Sequence, residues 1–165
     1  MGATLVALLS YDRHFACVWS GDSRIYLLRG GQYAQVTEDH TEVNELLRTG
    51  AITPDQALTW PRRNVITRAI GVHDLPRTDE RSGPLVDGDT FLLCSDGLTE
   101  HVEDFEMAEA LIAYDPQTAC NALVQLTLSR GAKDNVTVLV VRCRDTAAKQ
   151  SLRPTTDVDD WQLGI

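Results

Sequence analysis

Three aspartates in this chain stand where a strand-like run meets a turn, each beside Gly or Asn. Asp96 follows Phe91 to Cys94, an apolar run with no polar break that reads as a buried strand. The run stops at Ser95-Asp96-Gly97, a turn composition in which Gly97 has access to backbone angles closed to other residues. Asp134 has the reverse layout, because it precedes Val136 to Val141, a β-branched run expected to be an interior strand. Asp22 lies in a tight turn, Gly21-Asp22-Ser23, between two further strand-like segments. A buried strand fixes a carboxylate carried at its own end, so three such ends can converge on one hard cation. Mg²⁺ and Mn²⁺ take oxygen ligands and tolerate several waters. The plain alternative is that each Asp is solvated in its own turn.

The elements that must position these turns follow in order. Leu5 to Leu9 reads as a first strand, His14 to Trp19 as a second and Arg24 to Leu28 as a third. Gly30-Gly31 makes a hairpin into Gln32 to Val36, so the first forty residues are expected to form an antiparallel meander. At His40 to Thr49 the period changes. Val43, Leu46 and Leu47 fall at helical spacing, and Gly50 suits a C-terminal cap. Thr53-Pro54 starts a second short helix as N-cap and first position, and Trp60 to Asn64 breaks it. Residues 41–65 thus form a helical insertion between strands.

Ile66 to Gly71 is a short strand or turn, and residues 73–89 are a crossing loop with an edge strand near Asp79 to Arg81. Beyond the Phe91 strand, Glu103 to Tyr114 is expected to be helical, with Phe105, Ala108, Leu111 and Ile112 on one face. Asp115-Pro116 caps another helix, closed by Gly131, whose apolar face is Ala119, Ala122, Leu123 and Leu126. From Asp145 onward the chain is polar and acidic and is expected to be a disordered tail in which Trp161 docks weakly on a surface.

The 165 residues suit one domain large enough to bury a core. No apolar run approaches the length of a membrane span, and the first residues carry no leader pattern. The formal charge of −9 argues against a nucleic-acid partner, because phosphate backbones need a basic face. Cys17, Cys94, Cys120 and Cys143 form no C-x-x-C pair and lie among apolar residues, which suits buried free thiols in a reducing cytoplasm.

Other chemistries find less support. Ser95 is not in a G-x-S-x-G elbow, and no Gly-rich phosphate loop precedes a helix. His14, His40, His73 and His101 lack metal-ligand spacing and read as surface or loop residues, His40 standing in an Asp-His turn. Arg62 and Arg63, the only adjacent basic pair, would attract a phosphorylated substrate or else be a surface pair without a target.

Gly21-Asp22-Ser23-Arg24, Thr37-Glu38-Asp39-His40, Ile66 to Gly71, Ser95-Asp96-Gly97 and Lys133-Asp134-Asn135 follow one another in the order seen in type 2C protein phosphatases. The chain resembles the bacterial branch of this metal-dependent PPM family up to about Arg144. The resemblance implies an α+β fold, an antiparallel β-sandwich flanked by helices in αββα layers, over residues 1–144, with 41–65 as the flap beside the active site. It implies hydrolysis of phosphoserine and phosphothreonine proteins by a metal-activated water, with Mn²⁺ or Mg²⁺ as cofactor and a serine/threonine kinase acting on the same targets. It assigns Asp96 and Asp134 to one metal of a pair, and Asp22 with Asp96 to a further, weaker site.

The family's phosphate-clamping Arg, its Glu-Asp pair, its Asp-Gly-x-Gly-Gly motif and the His proposed as general acid have no counterpart in these 165 residues. No catalytic residue is therefore assigned here. A two-metal phosphatase is expected to be impaired without the bridging Asp, and bared sheet edges are expected to make the chain dimerise, swap or recruit a partner. The resemblance thus leaves an enzyme, a non-catalytic domain that binds a kinase or phosphoprotein, and a fragment whose metal turns are relics.

Overall fold

The computed structural model describes residues 2–145; the acidic segment beyond, with Trp161, lies outside the described residues. Two hairpins begin the chain. β1 (Leu5–Tyr11) pairs antiparallel with β2 (His14–Ser20), and β3 (Arg24–Arg29) with β4 (Gln32–Gln35). The second hairpin turns through Gly30 and Gly31 at φ 56° and 81°, a left-handed conformation that favours glycine.

The two hairpins do not continue into one another. β2 takes β5 (Asp79–Pro84) as its other neighbour, giving a three-stranded sheet β1-β2-β5. β3 pairs with β6 (Thr90–Cys94), which pairs with β7 (Val138–Arg142), giving a four-stranded sheet β4-β3-β6-β7. The expected single meander is therefore corrected to two stacked sheets. Alternation along β2 and β3 reports that a face is buried, not which strand lies alongside. Phe15 and Cys17 of β2 meet Ile25 of β3, with Phe91 and Leu93 of β6, in one core between the sheets. Phe15 and Phe91 pack edge to face with ring centres 5.0 Å apart.

Helices cover the far face of the four-stranded sheet, as the αββα resemblance implies. There Tyr26, Leu92, Cys94 and Val140 pack against α4 (Asp104–Ala113) and α5 (Pro116–Ser129). β6 is consequently buried on both faces, which is why its sequence is an unbroken apolar run. Asp115 caps α5, accepting from the N–H groups of Gln117 and Thr118. The face expected for α4 is corrected: Met107, Ala110 and Leu111 are buried, while Phe105 and Ile112 are each 64% exposed. Its ten residues carry two adjacent apolar stripes, and packing on α5 selects the one through Met107.

The expected helical insertion forms as α1 (Glu42–Arg48) and α2 (Pro54–Leu58), with Thr41 and Thr53 as N-caps. Neither helix contains a buried residue. Cys17 and Cys94 are buried and free, and burial pushes their thiols up to about 11 and about 12; Cys120 and Cys143 are free and only half-buried. Among the described residues, no helix is long and apolar enough to cross a membrane.

Candidate functional site

A cleft of about 620 Å³ opens between the ends of the strands and the helices of the 41–65 insertion. Asp22 and Asp96 line it together, with Arg24 and Asp39 beside them and Val43, Leu47, Leu58 and Arg63 contributed from the insertion. Asp22 reaches the cleft because the turn from β2 to β3 carries the chain from one sheet to the other. Asp96 reaches it because β6 ends there.

Asp96 opens a short helix, α3 (Asp96–Thr99), rather than a bare turn. Its Oδ1 accepts from the Gly97 N–H at 2.9 Å. Ser95 is stitched to the approach of β7: its N–H donates to the Thr137 carbonyl at 3.1 Å, and its Oγ accepts from the Thr137 N–H at 3.1 Å. The reason for Gly97 differs from the expectation. Its φ is not positive, but a Cβ there would lie 2.5 Å from the Asn135 carbonyl oxygen. Glycine is needed for close approach of two backbones, not for conformational freedom.

That approach brings the loop of Asp134 against the Asp96 turn. Asp134 itself is exposed, its Oδ1 accepts from the Asn135 N–H at 2.7 Å, and it does not line the cleft. Among the described residues, no group of three or more His, Cys, Asp or Glu gathers closely enough to hold a metal ion. The structure thus unites Asp22 with Asp96 and sets Asp134 on the neighbouring loop.

Two unlike charges in the cleft are already spent on each other. Arg24 grips Asp39 through a fork, Nε at 3.0 Å from both carboxylate oxygens and a terminal nitrogen at 2.7 Å from one of them. Gln35 Nε2 adds a bond to Asp39 at 3.0 Å, and Arg24 also donates to the Tyr26 hydroxyl. The sequence reading missed this pair; its signal was an Arg directly after the Asp22 turn and an Asp inside the Thr37 to His40 segment. Burial, and after it the negative charge of Asp96, push the Asp22 carboxyl above its ordinary range. Two carboxylates repel each other in this way when no cation lies between them.

Within the insertion, Arg62 and Arg63 diverge. Arg62 turns back to Glu42 at 3.0 Å, and its side chain is 65% exposed. Arg63 lines the cleft. His40, read as a surface or loop residue, lies in a loop but is buried, 5% exposed, because the Thr37 to Thr41 segment folds inward beside the start of β3.

The chemistry of the donors fits a hard cation in part. Asp22 and Asp96 supply carboxylate oxygens on one wall, and their mutual repulsion is what a divalent ion would relieve. Asp39 is bound to Arg24, and the carboxylates left, Asp22 and Asp96 with Glu100 also lining the cleft, suit one water-rich ion rather than a tightly caged pair.

Residues 1–48 match the family described as protein phosphatase 2C, and residues 51–144 match the family of stage II sporulation protein E. The serine/threonine phosphatase stp of Listeria monocytogenes is 41% identical over 150 residues, 90% of this chain and 59% of the relative. The crystal structure of the serine/threonine phosphatase PstP/Ppp of Mycobacterium tuberculosis superposes with a TM-score of 0.81 at 39% identity, covering 88% of this chain and 61% of that one. A structure of the PstP catalytic domain in complex with two manganese ions superposes with a TM-score of 0.76 at 39% identity, over 88% of this chain and 60% of that one. The chain therefore spans about three-fifths of the length of the stp relative and of these solved structures. With both family matches and these likenesses agreeing, the chain belongs to the PPM, or type 2C, family of bacterial serine/threonine phosphatases and covers part of that family's domain.

Proposed function

We propose that residues 1–144 act as a phosphatase unit whose cleft binds a divalent cation and a phosphoserine or phosphothreonine side chain, with residues 41–65 as a flap over it. The observation that carries this reading is the meeting in one cleft of Asp22, on the turn between the two sheets, and Asp96, at the end of β6. Mn²⁺ or Mg²⁺ held by these carboxylates, with Asp134 joining from the adjacent loop, would supply a metal-activated water for phosphate ester hydrolysis.

The chain's own residues do the rest. Arg63 on the flap wall offers the phosphate a positive charge, while Arg62, tied to Glu42, sets the flap's posture. Arg24 is held by Asp39 and orients that carboxylate instead of clamping a phosphate. Val43, Leu47 and Leu58 give the cleft an apolar side against which a substrate backbone can lie. Substrates are phosphoproteins made by serine/threonine kinases. Buried free thiols at Cys17 and Cys94 suit a reducing cytoplasm as the place of action.

A second reading has a specific observation in its favour. Four carboxylates line the cleft, Asp22, Asp39, Asp96 and Glu100, but Asp39 and the arginine beside it are occupied with each other, so a non-catalytic domain that binds a phosphoprotein or a kinase through the same cleft is the alternative. The deciding experiment is p-nitrophenyl phosphate hydrolysis by the 165-residue chain with and without Mn²⁺, beside Asp96→Asn, with Mn²⁺ binding followed in parallel. Metal-dependent turnover lost in Asp96→Asn establishes the enzyme. Mn²⁺ binding without turnover favours the binding domain, and Mn²⁺ affinity unchanged in Asp96→Asn removes Asp96 from the site.

A further inference from the structure

We propose that His40 is a positioning residue: its imidazole and its backbone together lock the Gly21–Asp22 turn that presents Asp22 to the cleft. Gly21 has both of its backbone groups bound by this one residue. The Gly21 N–H donates to His40 Nδ1 at 3.2 Å, and the Gly21 carbonyl accepts from the His40 N–H at 2.9 Å. Gly21 sits at φ 110°, where a Cβ would lie 2.5 Å from Thr4 Cγ2, so the turn is pressed between Thr4 on one side and His40 on the other. Asp22 is the next residue.

The ring is held as firmly as the turn it holds. It stacks on Trp19 with centres 6.2 Å apart and planes 17° apart. Its Nε2 lies 3.1 Å from Asp79 Oδ2, and the other oxygen of Asp79 takes Arg68 at 2.7 Å. The His40 carbonyl accepts from Thr67 N–H at 2.8 Å, tying the same residue to the segment just after the flap. These bonds fix the tautomer. Nδ1 accepts from an amide N–H and so carries a lone pair; Nε2 therefore carries the hydrogen and donates to Asp79. Asp79 and Arg68 thereby hold the imidazole in the one tautomer able to receive Gly21. A side chain that orients a cation-binding carboxylate through the intervening backbone acts as an outer-shell partner, and such partners are worth about 10- to 100-fold in metal affinity.

This inference rests on the metal-site reading for its consequence, but not for its geometry. The test uses the whole chain and the variants His40→Asn and His40→Gln, with Asp96→Asn as control. Asn places its Oδ1 where the ring carries Nδ1 and can accept from Gly21. Gln carries its amide one carbon further out, toward Asp79. ¹⁵N NMR of the wild type is expected to show the Nε2–H tautomer and a Gly21 amide slow to exchange. Mn²⁺ affinity is expected to stay within about threefold of wild type in His40→Asn and to fall roughly tenfold or more in His40→Gln, with the Gly21 amide exchanging faster.

Equal Mn²⁺ affinities in the two variants at matched thermal midpoints would overturn the proposal, as would an Nδ1–H tautomer in the wild type. Should neither wild type nor Asp96→Asn bind Mn²⁺, the metal reading fails. The tautomer and the Gly21 exchange rate then still decide the positioning role, and they do so without any variant that has to fold.

Discussion

The two sheets of the sandwich are held very differently. The four-stranded sheet is covered on both faces, by the other sheet on one side and by α4 and α5 on the other, and every residue of β6 is buried. Among the described residues, the three-stranded sheet is covered on one face only. Val6, Leu8, Phe15 and Cys17 point into the core, while the opposite face of β1 shows Leu5 at 40%, Leu9 at 56% and Tyr11 at 88% exposure. The candidate site straddles this difference, with Asp96 just beyond the end of the well-held strand and Asp22 on the turn between the sheets. Fixing Asp22 therefore falls to local bonds such as those of His40 more than to the bulk of the core.

The largest expected effect tests that inequality directly. Phe91→Ala removes a ring from the core between the sheets and is expected to cost about 3–5 kcal/mol in urea unfolding. Leu9→Ala on the open face is expected to change stability by no more than about 0.5 kcal/mol. A Leu9→Ala cost of several times that size would break the comparison, because it would mean that something covers the outer face of β1 in solution. A concentration-dependent unfolding midpoint would then identify the cover as a second copy of the chain.

A smaller effect is expected where β6 delivers its aspartate. Gly97→Ala sets a methyl against the backbone oxygen of Asn135, which cannot swing away as a side chain would. Overpacking of this kind costs about 1–3 kcal/mol, relieved by parting the two loops. If Asp134 joins Asp96 at the cation, Mn²⁺ affinity falls in Gly97→Ala as it does in Asp134→Asn. If Asp134 stands apart, Gly97→Ala lowers stability and leaves Mn²⁺ affinity unchanged in a binding titration. This sharpens the contrast, because it asks whether the firmly held side of the cleft supplies one ligand or two.

What was legible in the sequence follows the same division. β6 could be read from its unbroken apolar run, because burial on both faces leaves no alternation to hide it. Caps at Thr53 and Asp115 could be read because they are local chemistry. The split of β2 and β3 into different sheets could not, since period-2 alternation is the same for a paired and a stacked strand. The stripe of α4 was ambiguous for want of a partner to choose between Met107 and Phe105. At the site, the aspartate turns stood out by composition, but the two roles that depend on distant neighbours did not. Gly97 meets Asn135 and His40 meets Asp79, and neither separation leaves a periodic mark in the chain.

The smallest effect expected is a pH dependence that divides between the sheets. Asp89, 1% exposed at the start of β6, has a carboxyl that burial pushes up and that the Arg29 fork, at 2.7 and 2.6 Å, with the Val86 N–H, brings below the ordinary range. Asp79 is likewise held below that range by His40 and Arg68 against burial, but its side chain is 47% exposed. A carboxyl with a lower pKa folded than unfolded binds fewer protons in the native state, so protons favour unfolding. The stabilisation is present above about pH 4 and lost as pH falls through the folded values. Urea midpoints measured at about pH 6 and about pH 3 are expected to differ less in Asp89→Asn than in wild type. Asp79→Asn, on the solvent-screened pair, is expected to change that difference less than Asp89→Asn does. The reverse order would place the acid-sensitive interactions in the three-stranded sheet and make the open sheet, not the covered one, the first to respond to acid.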